Sequence, residues 1–225
     1  MIDVRVKVCG LTDVRTALAC ATAGADWIGL NFHPTSPRFV SAEVAATITS
    51  TLPAGVEAVG LFVDRPSAEV AAMASRVGLD AIQLHGHEPP EYLADLHRAC
   101  PTPPRIIRAF RLSDPASIDR MVAYLDRAEE LGYPIHAVLV DAHVEGQAGG
   151  TGQTIPFEVL DHLPAHPRLI LAGGLTPGNV AGRVAQVRPW MVDVASGVER
   201  SPGVKDSGLV SAFVAAAREI GSFVS

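Results

Sequence analysis

Cysteine is scarce in this chain: there are three, Cys9, Cys20 and Cys100, an odd number with no C-x-x-C spacing. That argues against a disulfide framework and against a zinc knuckle, and it suits a reducing compartment. Charge is sparse too, at 19% of residues, with a net of −6 and no stripe or arm rich in Lys and Arg. Nucleic acid is therefore not expected as a partner, although a small anion can still be held by local amides and a few cations. No run approaches the ~18 apolar residues of a membrane span, so no membrane partner is expected. The opening MIDVRVKVCG carries charges inside its apolar stretch and lacks the uninterrupted core of a signal peptide, so the expected location is cytoplasmic. Linkers, low-complexity tracts and shifts of composition are also missing, which leaves 1–225 as a single domain.

What is present is an alternation. Of 225 residues 48% are apolar, a balance that suits strands buried on both faces. Short β-branched runs occur at Val4–Val8, Trp27–Phe32, Ala58–Val63, Ala81–Leu84, Arg105–Phe110, Ala137–Val140, Leu169–Leu171 and Met191–Val194. Stretches of helical period lie between them. Thr12–Ala23 has Thr12 as the expected N-cap and stops at Gly24; Ser41–Leu52 halts at Pro53. Ser67–Val77, Pro89–Ala99, Asp114–Leu131, Ile155–His162, Pro177–Ala185 and Ser207–Ile220 follow, with Pro177 placed in a first turn that tolerates it. Eight β-then-α units average roughly 28 residues, close to the minimum for such a unit with short loops. Strict alternation implies a parallel sheet, and eight units imply closure into a (β/α)8 TIM barrel of the α/β class. The rival, a doubly wound open sheet, usually has fewer strands, and no G-x-G-x-x-G follows the first one.

In such barrels the reacting groups stand at the C-terminal ends of strands, which selects Cys9, Asn31, Asp64, His85, Asp141 and Asp193. Each has a plainer reading. Cys9 is either an inert packed thiol or a thiolate facing substrate as nucleophile or base. Cys20 and Cys100, in or just after helices, are read as inert. Asp141 ends the apolar run HAVLV and is either reactive or a cap for the following loop. Asp193 interrupts VDVAS, where an inward carboxylate demands a partner; a core network and a substrate hydroxyl are both open. His85 ends AIQLHG, and with His33, Asp141 and Asp193 it forms only a scattered set of metal-ligand types without local spacing.

Glycines mark two places for an anion. Gly173 and Gly174 follow strand seven, and Ser196 and Gly197 follow strand eight. Loops at these two strand ends commonly bind phosphate through backbone N–H groups, and glycine permits the close approach. The glycine-rich EGQAGGTGQT after strand six lacks the ending of a nucleotide P-loop and is either a cover or a flexible connection. Arg38, in TSPRFVS, is suited to a substrate carboxylate in fork geometry.

Taken together, KVCGLT, SPRFVS, VGLFVD, LDAIQLHG, the stretch from Asp141 to GGTG, LAGGLTPGNV and VDVASGVERSPGVKD resemble phosphoribosylanthranilate isomerase, in the correct order from Val6 to about Asp206. The resemblance implies an Amadori rearrangement in tryptophan biosynthesis, acting on a small phosphoribosyl substrate with no cofactor and no metal. It implies Asp141 as general acid on the ribose ring oxygen and Cys9, with a lowered pKa, as general base at C2′. It also implies Arg38 on the anthranilate carboxylate, His85 and Asp193 along the sugar, and Gly173, Gly174, Ser196 and Gly197 around the phosphate. Either a monomer or a homodimer fits. Three rivals remain: the isomerase of histidine biosynthesis, which typically carries aspartate where Cys9 stands; a metal-dependent pentose-phosphate epimerase; and a non-catalytic phosphate-binding barrel.

Overall fold

The computed structural model describes residues 4–100, 104–142, 155 and 157–219. Its framework is a closed barrel of eight parallel strands: β1 (Arg5–Cys9), β2 (Trp27–Asn31), β3 (Glu57–Phe62), β4 (Ala81–Leu84), β5 (Arg105–Leu112), β6 (Ala137–Ala142), β7 (Leu169–Leu171) and β8 (Met191–Val194). The ring is closed by β1, which pairs with β2 on one side and with β8 on the other. The helices between them are α1 (Val14–Thr22), α2 (Ala42–Thr51), α3 (Ser67–Val77), α4 (Tyr92–Ala99), α5 (Pro115–Glu130), α6 (Phe157–Leu160) and α7 (Val180–Val187). After β8 come a short 3-10 turn (Ser196–Val198), a two-stranded hairpin of β9 (Glu199–Ser201) and β10 (Val204–Lys205), and α8 (Ser207–Glu219).

Strand side chains alternate between two cores, as period-2 geometry requires. Val6, Val8, Ile28 and Leu30 face outward and pack under the helices, within one large apolar cluster. Trp27, Val59, Ile107, Leu139 and Ile170 face inward and fill the barrel in a second, separate cluster. The lower end is plugged by indoles: Arg5 lies 5.1 Å over Trp190, Arg105 lies 5.6 Å over Trp27, and the two tryptophans meet edge to face. With its lower half filled, the barrel interior opens toward a ligand at the upper rim.

The helix boundaries correct several expectations. Asp13, not Thr12, caps α1, its carboxylate accepting from the Thr16 amide at 2.8 Å. Pro177 precedes α7 instead of opening it, because Asn179 ties the Thr176 amide and the Gly174 carbonyl into a lead-in turn before helical bonding starts. The α4 helix begins at Tyr92, after two prolines that have no N–H to donate. The α6 helix is shorter than expected, since His162 and Leu163 close back on residues three before them. Ser41 and Asp114 cap α2 and α5 as the sequence suggests, and Pro115 opens α5. Among the described residues no helix is long and apolar enough to cross a membrane.

Candidate active site

A cavity of about 190 Å³ opens at the C-terminal ends of the strands, and Cys9, Arg38, His85, Asp141 and Asp193 all line it. Asn31 lines it as well, but its amide is spent on the local loop, donating to Ser36 Oγ and accepting from the His33 amide. Asp64 is the candidate that the structure moves elsewhere. It sits outside the cavity with φ 48°, and its carboxylate accepts from the His87 amide. Gly86 is what admits that carboxylate, since a Cβ there would collide with it.

Cys9 is buried and faces Gly29 across the β1–β2 pairing. A Cβ on Gly29 would come within 2.7 Å of the sulfur, so glycine at that position makes the room that the thiol occupies. The next residue, Gly10, takes φ +84° and lets the stem of Arg38 cross it, where a Cβ would press on Arg38 Cδ at 2.5 Å. Glycine is thus required there for both backbone and contact. The guanidinium of Arg38 is held by Glu199 through Nε and a terminal nitrogen, both at 2.8 Å. Glu199 also accepts from Lys205 Nζ at 2.7 Å, and Lys205 reaches the Ala195 carbonyl.

Inside the barrel Lys7 is completely buried and pairs with Asp193 at 3.0 Å. Asp193 therefore does have the inward partner that its position demands, and it still lines the cavity. Its second oxygen, Oδ1, is buried with no hydrogen-bond partner among the described residues.

Burial is the largest influence on the Cys9 thiol and pushes its pKa up, with Asp193 adding to the rise, while Lys7 and Lys205 pull it down. This corrects the expectation of a lowered thiol: the net direction is upward, because burial makes the charged form costly. His85 is pushed down to about 3 by burial and by the cations Arg111, Lys7 and Arg108, so it is neutral at physiological pH. Gln83 Nε2 lies 2.8 Å from His85 Nδ1. With the amide as donor, the ring keeps its proton on Nε2, which faces Asp141 Oδ2 at 3.8 Å. That separation joins the Asp141 side chain to a neutral imidazole, not to a cation.

Gly173, Gly174, Ser196 and Gly197 form a second, smaller recess that shares Asp141 and Asp193 with the main cavity. Gly173 and Gly174 take φ 86° and 60°. Gly197 is needed for contact, since a Cβ would run into the Leu175 carbonyl oxygen. The glycine-rich loop 145–154 lies outside the described residues. Among those described, no three side chains of the metal-ligand types are gathered closely enough to hold an ion.

Several site residues escape a reading of strand ends alone: Lys7, Gln83, Arg111, Glu199 and Lys205. For Lys7 the signal is present in RVKVC, where a charge falls on the same alternate face as Cys9. Arg111 and Glu199 give no such signal, because their positions depend on how far β5 runs and where the hairpin folds.

A family model described as N-(5′-phosphoribosyl)anthranilate (PRA) isomerase matches residues 6–216. A relative from Geobacter sulfurreducens, named N-(5′-phosphoribosyl)anthranilate isomerase, is 44% identical over 96% of this chain and 98% of its own. The phosphoribosyl anthranilate isomerase structure from Thermotoga maritima is 34% identical, with a TM-score of 0.83 over 96% of this chain and 99% of that one. Another solved member, 33% identical with a TM-score of 0.78 over the same shares, is in complex with reduced 1-(o-carboxyphenylamino)-1-deoxyribulose 5-phosphate. The chain belongs to the N-(5′-phosphoribosyl)anthranilate isomerase family and has that isomerase activity, in tryptophan biosynthesis.

Proposed function

We propose that Cys9 is the general base and Asp141 the general acid of this isomerisation. One observation carries the reading: the two side chains line one cavity from β1 and β6, and the strands between them on one side, β7 and β8, carry the glycine recess. A sugar whose phosphate sits in that recess has the acid and the base on either side of it. The ligand bound by the solved relative supplies matching groups: a carboxylate, a secondary amine, a hydroxylated chain and a phosphate.

In the first step Asp141 gives its proton to the ribose ring oxygen. The C1′–O bond breaks as the anthranilate nitrogen lone pair forms a C1′=N bond, and the ring opens to a Schiff base. Cys9, as thiolate, then takes the C2′ proton; the C–H electrons form C1′=C2′ and the C=N pair returns to nitrogen. The resulting enolamine relaxes to the ketone. General acid–base steps of this kind are worth roughly 10²–10⁴ each.

Arg38 is the carboxylate ligand in this reading, presented at a fixed angle by Glu199, with fork geometry suited to a planar anion. Asp193 Oδ1 accepts from a sugar hydroxyl, which satisfies an acceptor otherwise left alone. His85 lines the sugar as a neutral donor. Gly173, Gly174, Ser196 and Gly197 surround the phosphate with backbone amides, as barrel phosphate loops do.

The test is chemical. Alkylation of Cys9 should abolish turnover, and the reduced product analogue should protect the thiol. A fully alkylated Cys9 with undiminished turnover returns that residue to a packing role.

A further inference from the structure

Among the buried charged side chains that the acid and base steps leave unused, one shares a strand face with the base. Lys7 has no exposed surface and lies in the barrel interior, on the same alternate face of β1 as Cys9. Its register partner on β8 is Asp193, and the two are ion-paired at 3.0 Å. An amine in this setting is costly to bury, and apolar replacement of a buried ion pair is often neutral or stabilising. Most inward side chains of the barrel are apolar, Trp27, Val59, Ile107, Leu139 and Ile170 among them, and Gln83 is polar but uncharged, so a methionine or leucine would suit packing better than a charge.

We infer that Lys7 is the positioning residue for the base: its ammonium, held in place by Asp193, is the counter-charge on which Cys9 becomes a thiolate. The inference rests on the reading of Cys9 as the base.

The cations acting on Cys9, together with the carboxylates that pair with them, support it. From β1 comes Lys7, from the loop after β2 Arg38, and from β10 Lys205; the carboxylates are Asp193 on β8 and Glu199 on β9. Three cations face two anions. Ionising Cys9 brings the buried cluster to balance, whereas a thiol leaves a positive charge over. The remaining titratable groups on the cavity wall are His33 after β2, His85 just beyond β4, Arg111 on β5 and Asp141 on β6, and His85 is neutral. Lys7 and Asp193 also act on the sulfur in opposite senses, the cation favouring the thiolate and the carboxylate opposing it. Asp193 thereby fixes the ammonium and limits its effect.

The experiment reads the pH dependence of iodoacetamide alkylation at Cys9 in the full chain without substrate, resolved by peptide mass spectrometry so that Cys20 and Cys100 do not contribute. Lys7→Met should raise the midpoint by about one pH unit, a roughly tenfold slower reaction at pH 7. Asp193→Asn should lower it. A merely structural pair would move both variants the same way, by loosening the site, and that outcome overturns the inference, as does an unchanged midpoint in Lys7→Met. If Lys7→Met does not fold because it orphans a carboxylate, Lys7→Met/Asp193→Asn leaves no lone charge. Its midpoint should stay above wild type, and a midpoint at or below wild type overturns the inference. None of these readouts involves turnover, so normal turnover in Cys9→Ser would overturn the base assignment separately.

Discussion

Arg38 and Glu199 meet fork to fork, two hydrogen bonds of 2.8 Å joining residues 161 apart in sequence. The pair is only slightly exposed, and Lys205 donates to the same oxygen, Glu199 Oε1, that accepts from Arg38 Nε, at 2.7 Å. Glu199 thus fixes the plane of the guanidinium at the cavity wall while Gly10 gives its stem room. If Arg38 receives the anthranilate carboxylate, Glu199→Gln should raise KM for phosphoribosylanthranilate roughly tenfold, about 1.4 kcal/mol, with little change in kcat. The same variant should show no KM penalty on the phosphoribosyl aniline that lacks the carboxylate. An equal penalty on both compounds would remove Arg38 from that role.

The glycine recess makes a demand of its own. Gly197 packs its α-carbon against the Leu175 carbonyl, so Gly197→Ala must push the loops after β7 and β8 apart. The expected cost is about 1–3 kcal/mol of stability, as for other overpacked sites. If the recess holds phosphate, competitive inhibition by inorganic phosphate should weaken in the same variant. Inhibition equal to wild type would place the phosphate elsewhere.

His85 predicts a pH dependence of stability. Its folded pKa, about 3, lies below the ordinary value of 6.5, so the unfolded chain takes up a proton that the folded chain refuses. The stabilising effect of keeping it neutral is complete above pH 6.5 and is lost as pH falls from there toward 3, at up to about 1.4 kcal/mol per pH unit. Denaturant unfolding of wild type and His85→Asn between pH 7 and 5 should show the steeper fall in wild type. Parallel curves would mean that His85 takes up its proton as readily in the folded protein as in the unfolded chain.

The barrel was legible in the chain because eight β-branched runs alternate with eight helical ones, and that pattern depends on local chemistry alone. Cys9, Asp141 and Asp193 were legible for a related reason: each is a polar residue in or at the end of a buried strand. What stayed hidden depends on tertiary contact. Asp64 stands at a strand end like the others, yet a left-handed backbone turns it toward His87, away from the cavity. Glu199 belongs to a recognisable motif, but nothing local reveals that it meets Arg38. The rise in the Cys9 pKa was hidden as well, since the sum of burial, two lysines and a carboxylate is a property of the folded cavity.

The pairing of Cys9 and Asp141 as base and acid is tested most directly by kcat on freshly generated phosphoribosylanthranilate, followed by fluorescence with a chelator present. Wild type, Cys9→Ser, Asp141→Asn and the double variant form the series. Each single variant should lose roughly 10²–10⁴ in kcat while Asp141→Asn still binds the reduced product analogue. Turnover close to wild type in either single variant would contradict the assignment of that residue.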